Sequence, residues 1–249
     1  MNFLELSNLK IKYPKSKDVI LENINLTFKK GEMVAIIGHS GVGKSTLFKT
    51  IVKNLKPIQG EVKFNNQNIW NLNKKNWKNI MNQLGFLTQK PNLLLTDDVY
   101  TNIKRSIVQY KNYFFKILGY LTKEQKINIF QTLDSLNILD KAFYRISELS
   151  GGQQQRVEIT KLLIKKVNLI LADEPTANLD NKSAKEVLTI LKNLKNEKKI
   201  TILVNIHDLS LIKNYFDRVI VIKNKTIALD STIENIDQKD LEQIINAKN

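Results

Sequence analysis

The sequence predicts an α/β fold built on a mostly parallel sheet, and three segments predict it. Gly38-His39-Ser40-Gly41-Val42-Gly43-Lys44-Ser45 matches the phosphate-binding pattern G-x-x-x-x-G-K-[ST], the mark of a P-loop NTPase core. The apolar run Met33–Ile37 before it reads as a buried strand, and residues 45–52 after it read as a helix. Far downstream, Leu169-Ile170-Leu171-Ala172 reads as a second buried parallel strand, ending in Asp173 and Glu174. Such strand ends are where doubly wound sheets place ligands.

The chemistry explains the spacing of the first motif. Glycines let the backbone wrap closely around an anion and turn its N–H groups inward. The following helix adds the partial positive charge of its N-terminus. Gly38, Ser40, Gly41 and Gly43 form the loop, Lys44 can reach the β- and γ-phosphates, and Ser45 and Thr46 begin the helix. The Ser45 hydroxyl can hold Mg²⁺. A glycine turn with a chance lysine is the competing account; the strand and helix flanks argue against it.

The remaining elements follow in chain order. Residues 4–28 alternate apolar and polar, as antiparallel strands do. Residues 56–60, Lys-Pro-Ile-Gln-Gly, read as a helix stop and turn, and residues 60–64 as another strand. A short apolar strand ends in Gln89. Residues 90 to about 150 have helical periodicity, with a helix start at Thr122-Lys123-Glu124-Gln125. Ser150, Gly151 and Gly152 open a further helix with small residues and free N–H groups, which is an anion site or an ordinary N-cap with flexible glycines. Asp180 reads as the N-cap of a helix near 181–197. The apolar strand 201–204 leads to His207, and residues 218–228 form two short strands around Asn224-Lys225. The tail, about 231–249, reads as a polar helix or a frayed end. Repeats and low-complexity linkers are absent, so residues 1–249 read as one unit.

Composition sets outer bounds. A chain of 249 residues, 42% hydrophobic, suits one large α/β domain with a helical subdomain. It has no cysteine, so disulfides and cysteine catalysis are excluded. No apolar run approaches the length of a bilayer span. Residues 1–5 lead straight into a strand-like pattern and do not read as a secretory signal. The formal net charge of +15 admits nucleic acid or anionic lipid as a partner. However, Arg105, Arg145, Arg156 and Arg218 are the only arginines, and the lysines are spread along the chain. Abundant Lys, Asn and Ile point to an AT-rich genome, as in low-GC, mycoplasma-like bacteria.

Two further segments carry a family resemblance. Leu149-Ser150-Gly151-Gly152-Gln153-Gln154-Gln155-Arg156 stands about a hundred residues after the phosphate loop, and residues 167–176, ending Ala172-Asp173-Glu174-Pro175-Thr176, follow it. With these the chain resembles the ATP-binding subunits of ABC transporters from about Leu4 to Asp230, with the motifs in the family's order. The resemblance implies ATP and Mg²⁺ as ligands, and a single cassette with an antiparallel β subdomain and an inserted helical subdomain at about 90–165. It implies that two subunits, expected as a homodimer, sandwich two ATP molecules. Ser150, Gly151, Gly152 and Gln153 would then face nucleotide held by the partner. Asp173 would bind Mg²⁺, directly or through water, and Glu174 would polarise the attacking water. Asp180 belongs to a loop at the dimer interface, His207 matches the family's switch histidine, and Gln89 matches the glutamine that senses Mg²⁺ and γ-phosphate. Tyr13 matches the aromatic that stacks on adenine; a structural tyrosine would look the same. His39, at a variable loop position, receives no catalytic role.

The resemblance also places the protein at the cytoplasmic face of the membrane, peripheral to permease subunits. A permease helix would enter a groove lined by Gln89, Pro91, Leu93, Leu94, Leu95, Val99 and Tyr100. Three consecutive leucines in a loop-like stretch suit a partner contact or an anchor for the next helix. Residues 114–125 and the run Gln153-Gln154-Gln155 resemble phosphonate-importer ATPases, which implies import and an external solute-binding lipoprotein. Residues 173–180 equally resemble lipoprotein-release ATPases, so an exporter stays open. A soluble ABC ATPase acting on nucleic acid or ribosomes is the remote reading, because the chain has one motif set and no heptads. Glu158, Thr160 and Lys161 depart from the family's usual Ala, Ala and Arg, which puts that arginine's contacts in doubt.

Overall fold

In a computed structural model, residues 2–107 and 110–247 are described. Two sheets form the frame. The larger has the strand order β10-β9-β3-β8-β7-β6. Its strands are β3 (Met33–Ile37), β6 (Leu84–Thr88), β7 (Leu169–Asp173), β8 (Thr201–Asn205), β9 (Arg218–Lys223) and β10 (Thr226–Thr232). All neighbours run parallel except the β9–β10 hairpin. The smaller is antiparallel, β2-β1-β4-β5, from β1 (Asn2–Ile11), β2 (Leu21–Lys29), β4 (Gln59–Phe64) and β5 (Gln67–Asn68).

The central strands are apolar throughout because both of their faces are covered. Side chains alternate between the faces with a period of two. Val34, Ile36, Leu169, Leu171, Leu203, Ile220 and Ile222 pack toward the antiparallel sheet and α1 (Lys44–Ile51). Met33, Ala35, Ile37, Ile170, Ala172, Ile202 and Val204 pack on the opposite side. There they meet α5 (Lys123–Ser135), α6 (Gly151–Lys165) and α7 (Asn181–Lys198).

The helical region is more broken than its periodicity suggests. Residues 90–98 form no helix, and α2 (Lys74–Met81) precedes β6. The helices that follow are α3 (Val99–Lys104), capped by Asp98, and the short α4 (Tyr113–Leu118). Next come α5, two single 3₁₀ turns and α6. The helix start at Thr122 holds, with a reciprocal capping box to Gln125. The expected stop and turn at 56–60 is corrected at its end: α1 stops at Ile51, and Gln59 and Gly60 already belong to β4, paired with β1. The second strand of the 218–228 hairpin runs on to Thr232. After it come a 3₁₀ turn and the polar helix α9 (Gln238–Asn246); the short α8 (Ile212–Tyr215) precedes β9.

Arg218 ties the two sheets together. Its guanidinium makes two 2.6 Å bonds to the Asp230 carboxylate and donates at 2.7 Å to the Thr27 carbonyl on β2. Glu32 lies 3.4 Å away. The hydrogen bonds to Asp230 hold the guanidinium pKa above its ordinary value, while burial pushes Glu32 up. Arg218→Ala leaves two carboxylates without their cation. Discounted for the partial exposure of Asp230, it is expected to cost about 2–3 kcal/mol in urea unfolding.

Candidate nucleotide site

Strand register assembles the site. Ile36 is opposite Asn205, Asn205 opposite Asp173, and Asp173 opposite Thr88. The C-terminal ends of β3, β8, β7 and β6 therefore form one edge. The phosphate loop, His207, Glu174 and Gln89 all leave the sheet from it, as ligand sites of open α/β sheets require.

The loop backbone is held where only glycine fits. Gly38 has φ +148° and Gly43 φ +116°. A Cβ on Gly38 would stand 2.4 Å from the Ile222 carbonyl oxygen, and one on Gly43 2.8 Å from Leu21 Cδ2. At Gly41 a Cβ would meet nothing within 4 Å, so the loop is open there; Ser40 is exposed beside it. Lys44 is buried, and its Nζ donates to the carbonyls of Gly38 at 2.8 Å and His39 at 3.2 Å. Burial lowers its pKa, opposed by the charges of Glu174 and Asp173. An ammonium folded onto two carbonyls of its own loop can exchange them for phosphate oxygens.

The other groups converge on this loop. Ser45 Oγ donates to Asp173 Oδ1 at 3.1 Å. Tyr13 OH lies 3.3 Å from Thr46 Oγ1, and Lys49 sits 5.5 Å from the Tyr13 ring centroid. The Thr46 hydrogen bond is the main cause of a lowered Tyr13 pKa. Tyr13 thus stands over the start of α1 with its ring partly exposed. Glu174 has φ +52°, a left-handed conformation that costs a non-glycine residue energy and marks functional turns. Its Oε1 lies 2.7 Å from His207 Nε2. A carboxylate only accepts, so that nitrogen carries the proton. Gln89 is exposed directly after β6.

The arrangement fits Mg²⁺. Among the described residues no group of three or more His, Cys, Asp or Glu forms a closed metal cage. A serine hydroxyl 3.1 Å from a carboxylate supplies two hard oxygen donors at a phosphate loop. Mg²⁺ is typically held that way, with phosphate and water completing the shell.

The signature segment forms a separate set. Ser150 caps α6 in a reciprocal box: Ser150 Oγ accepts from Gln153 N at 3.3 Å, and Gln153 Oε1 accepts from Ser150 N at 2.9 Å. Cβ atoms on Gly151 and Gly152 would lie 3.0 Å from Leu179 Cδ2 and from Ser183 Cβ. Close packing on the start of α7 is therefore one reason for both glycines. Asp180 caps α7 through Ser183, which also lowers its pKa. Among the described residues no hydrogen bond or ion pair joins Ser150 to Gln153 with the Lys44 set.

Sequence reasoning missed the clamps on residues 88–92. Gln155, buried in α6, donates to the Thr88 carbonyl at 3.0 Å. Glu158 accepts from Asn92 N at 2.9 Å, and Lys161 donates to Asn92 O at 2.7 Å. Two of the three departures from the family pattern, Glu158 and Lys161, thus hold both main-chain polar groups of one residue, Asn92. Burial raises the Glu158 pKa and lowers that of Lys161. The expected groove lining also needs correction. Val99 is fully buried core, and Tyr100 is stacked on Phe130 with centroids 5.6 Å apart. Leu94 and Leu95 remain half exposed, at 50% and 55%. His39 bonds to the Ile245 carbonyl at 3.0 Å, so the C-terminal helix rests on the phosphate loop.

A phosphate loop after β3 facing an Asp-Glu pair at the end of β7, two strands away in the same sheet, defines a nucleotide-hydrolysing P-loop protein. The family profile described as ABC transporter matches residues 21–177. The chain belongs to the ABC transporter family, as an ATP-hydrolysing, ATP-binding subunit. It is 40% identical to the probable ABC transporter ATP-binding protein p29 of Mesomycoplasma hyorhinis, over 98% of this chain and 97% of that one. It is 37% identical to the phosphonates import ATP-binding protein PhnC 2 of Oceanobacillus iheyensis, over 98% and 96%. Among solved structures, a dimeric post-hydrolysis state of the cassette MJ0796 bound to ADP and Pi matches with TM-score 0.78. The identity there is 29%, over 94% of this chain and 100% of that one. No described helix is long and apolar enough to cross a membrane.

Proposed function

We propose that this ABC ATPase energises solute import, with phosphonates or a similar phosphorylated or small organic solute as cargo. Similarity to PhnC over nearly the whole chain supports this reading, as does the segment at residues 114–125. The observation that carries the catalytic part is the bonded series Ser45–Asp173 and Glu174–His207 at one sheet edge.

Each residue then has a role. Lys44 and the loop amides bind the β- and γ-phosphates. Ser45 and Asp173 hold Mg²⁺, with Gln89 contributing from the end of β6. Bound Mg²⁺ supplies neutralising charge on the phosphate oxygens. Glu174 accepts a proton from the attacking water, and His207 orients the Glu174 carboxylate. Tyr13 offers its ring to adenine. In a homodimer, Ser150, Gly151, Gly152 and Gln153 of one copy complete the site of the other, with Asp180 near the interface. Permease subunits dock beside Leu94 and Leu95, at the cytoplasmic face of the membrane, and a solute-binding lipoprotein delivers the cargo outside.

Three measurements test this. Glu174→Gln should leave ATP binding intact and lower turnover about 10²–10³-fold in a phosphate-release assay; near-normal turnover would remove Glu174 from the reaction. Mixing a Lys44→Ala chain with a Ser150→Arg chain should restore about a quarter of wild-type hydrolysis. Random pairing makes half the dimers mixed, each with one intact site. No recovery on mixing would argue against a shared site. Finally, Leu94→Asp should leave hydrolysis by the isolated subunit unchanged and weaken its pull-down with the permease about tenfold or more.

A further inference from the structure

Asn205 is a polar residue where the fold calls for an apolar one. It ends β8, is fully buried, and is flanked by Val204 and Ile206. Its strand neighbours are Ile36 and Asp173. Its Nδ2 donates to Asp173 Oδ1 at 2.6 Å. Its Oδ1 is buried with no partner among the described residues. Turning the amide over would set that oxygen against a carboxylate, so the orientation is fixed by charge. Leucine has nearly the same shape and would leave no orphaned polar atom. Packing alone therefore does not account for asparagine here.

What the amide does is visible at Asp173. Oδ1 receives two donors, Ser45 Oγ at 3.1 Å and Asn205 Nδ2 at 2.6 Å, from two different elements. These bonds fix the plane of the carboxylate and occupy one oxygen. Among the described residues none donates to Oδ2. The Asn205 main chain adds a further tie, accepting from Glu174 N at 3.1 Å. One residue thereby sets the carboxylate of Asp173 and the turn that carries Glu174.

We propose that Asn205 is a positioning residue that locks the Asp173 carboxylate, through its side-chain amide, in the orientation that receives Mg²⁺ with the nucleotide. This rests on the reading of Asp173 as a metal-binding residue. The amide acts on metal affinity through Asp173 and has no contact with the base or the phosphates.

The test is calorimetric binding of a non-hydrolysable ATP analogue to the full chain, in EDTA and across a Mg²⁺ titration. It compares wild type, Asn205→Leu, Asp173→Ala and the double variant, with thermal melting of each. Asn205→Leu is expected to raise the Mg²⁺ concentration for half-maximal binding about tenfold, the usual effect of losing a residue that orients a metal ligand. Affinity in EDTA should not change, and the melting temperature should stay level or rise. In the Asp173→Ala background the same substitution should add nothing, because its effect passes through Asp173. An unaltered Mg²⁺ requirement in Asn205→Leu, or an equal further loss on top of Asp173→Ala, would overturn the proposal. If Asp173→Ala itself leaves the Mg²⁺ requirement unchanged, the metal reading of Asp173 fails, and the proposal with it. Should Asn205→Leu not fold, Asn205→Val, smaller and favoured in strands, carries the same expectations.

Discussion

Slip β8 by one residue against β7 and the site comes apart. Asn205 would leave Asp173, and Val204 would turn from the helices toward the antiparallel sheet. The register Ile36–Asn205–Asp173–Thr88 is held by apolar faces on both sides of the sheet. In a two-sided parallel sheet a one-residue shift inverts every side chain of the strand, so hydrophobic burial itself enforces the alignment. The geometry at the edge is a by-product of that enforcement. That alignment brings Ser45, Asp173, Glu174 and His207 together, and Asn205 then ties the Asp173 carboxylate and the Glu174 turn within it.

Several buried polar groups sit at this edge or on the helix that packs beside it. Lys44, Thr46, Gln155, Glu158 and Asn205 are all buried, and Gln155 and Asn205 each keep an oxygen without a partner. Glu174 adds a left-handed backbone at a strand end. Each of these is unfavourable locally, and each is held by the packed sheet and helices around it together with the polar partners it does have. The same residues in a peptide would not hold these positions.

This explains what could be read before the fold was known. The phosphate loop was legible because its glycine spacing is a local backbone requirement, and the flanking strand and helix followed from periodicity. The helix starts at Thr122 and Asp180 were legible because a cap is decided within four residues. Asp173 and Glu174 were found by their place at a strand end. Residues whose work is non-local escaped. Glu158 and Lys161 were seen only as odd substitutions, and Asn92, 66 residues from Glu158, gave no sign of joining them. Asn205 does carry a local signal, a lone amide ending an apolar run. Val99 was misplaced on the groove because apolar spacing does not say which face a short helix buries.

The clamps on residues 88–92 have a mechanical meaning. Gln155 holds the chain at Thr88, and Glu158 with Lys161 holds it at Asn92. Only residues 89–91 lie between the two anchors, and a stretch that short has little slack to absorb a displacement. Both anchors belong to the same rigid rod, α6, within two turns of each other. A load applied at Leu94 is shared between this rod and α3, because Asn102 holds the Leu94 main chain at 2.8 and 3.0 Å. The pins at Gln155, Glu158 and Lys161 lie along the middle of α6, so the Ser150 cap stands at one end of a lever fixed to the loop.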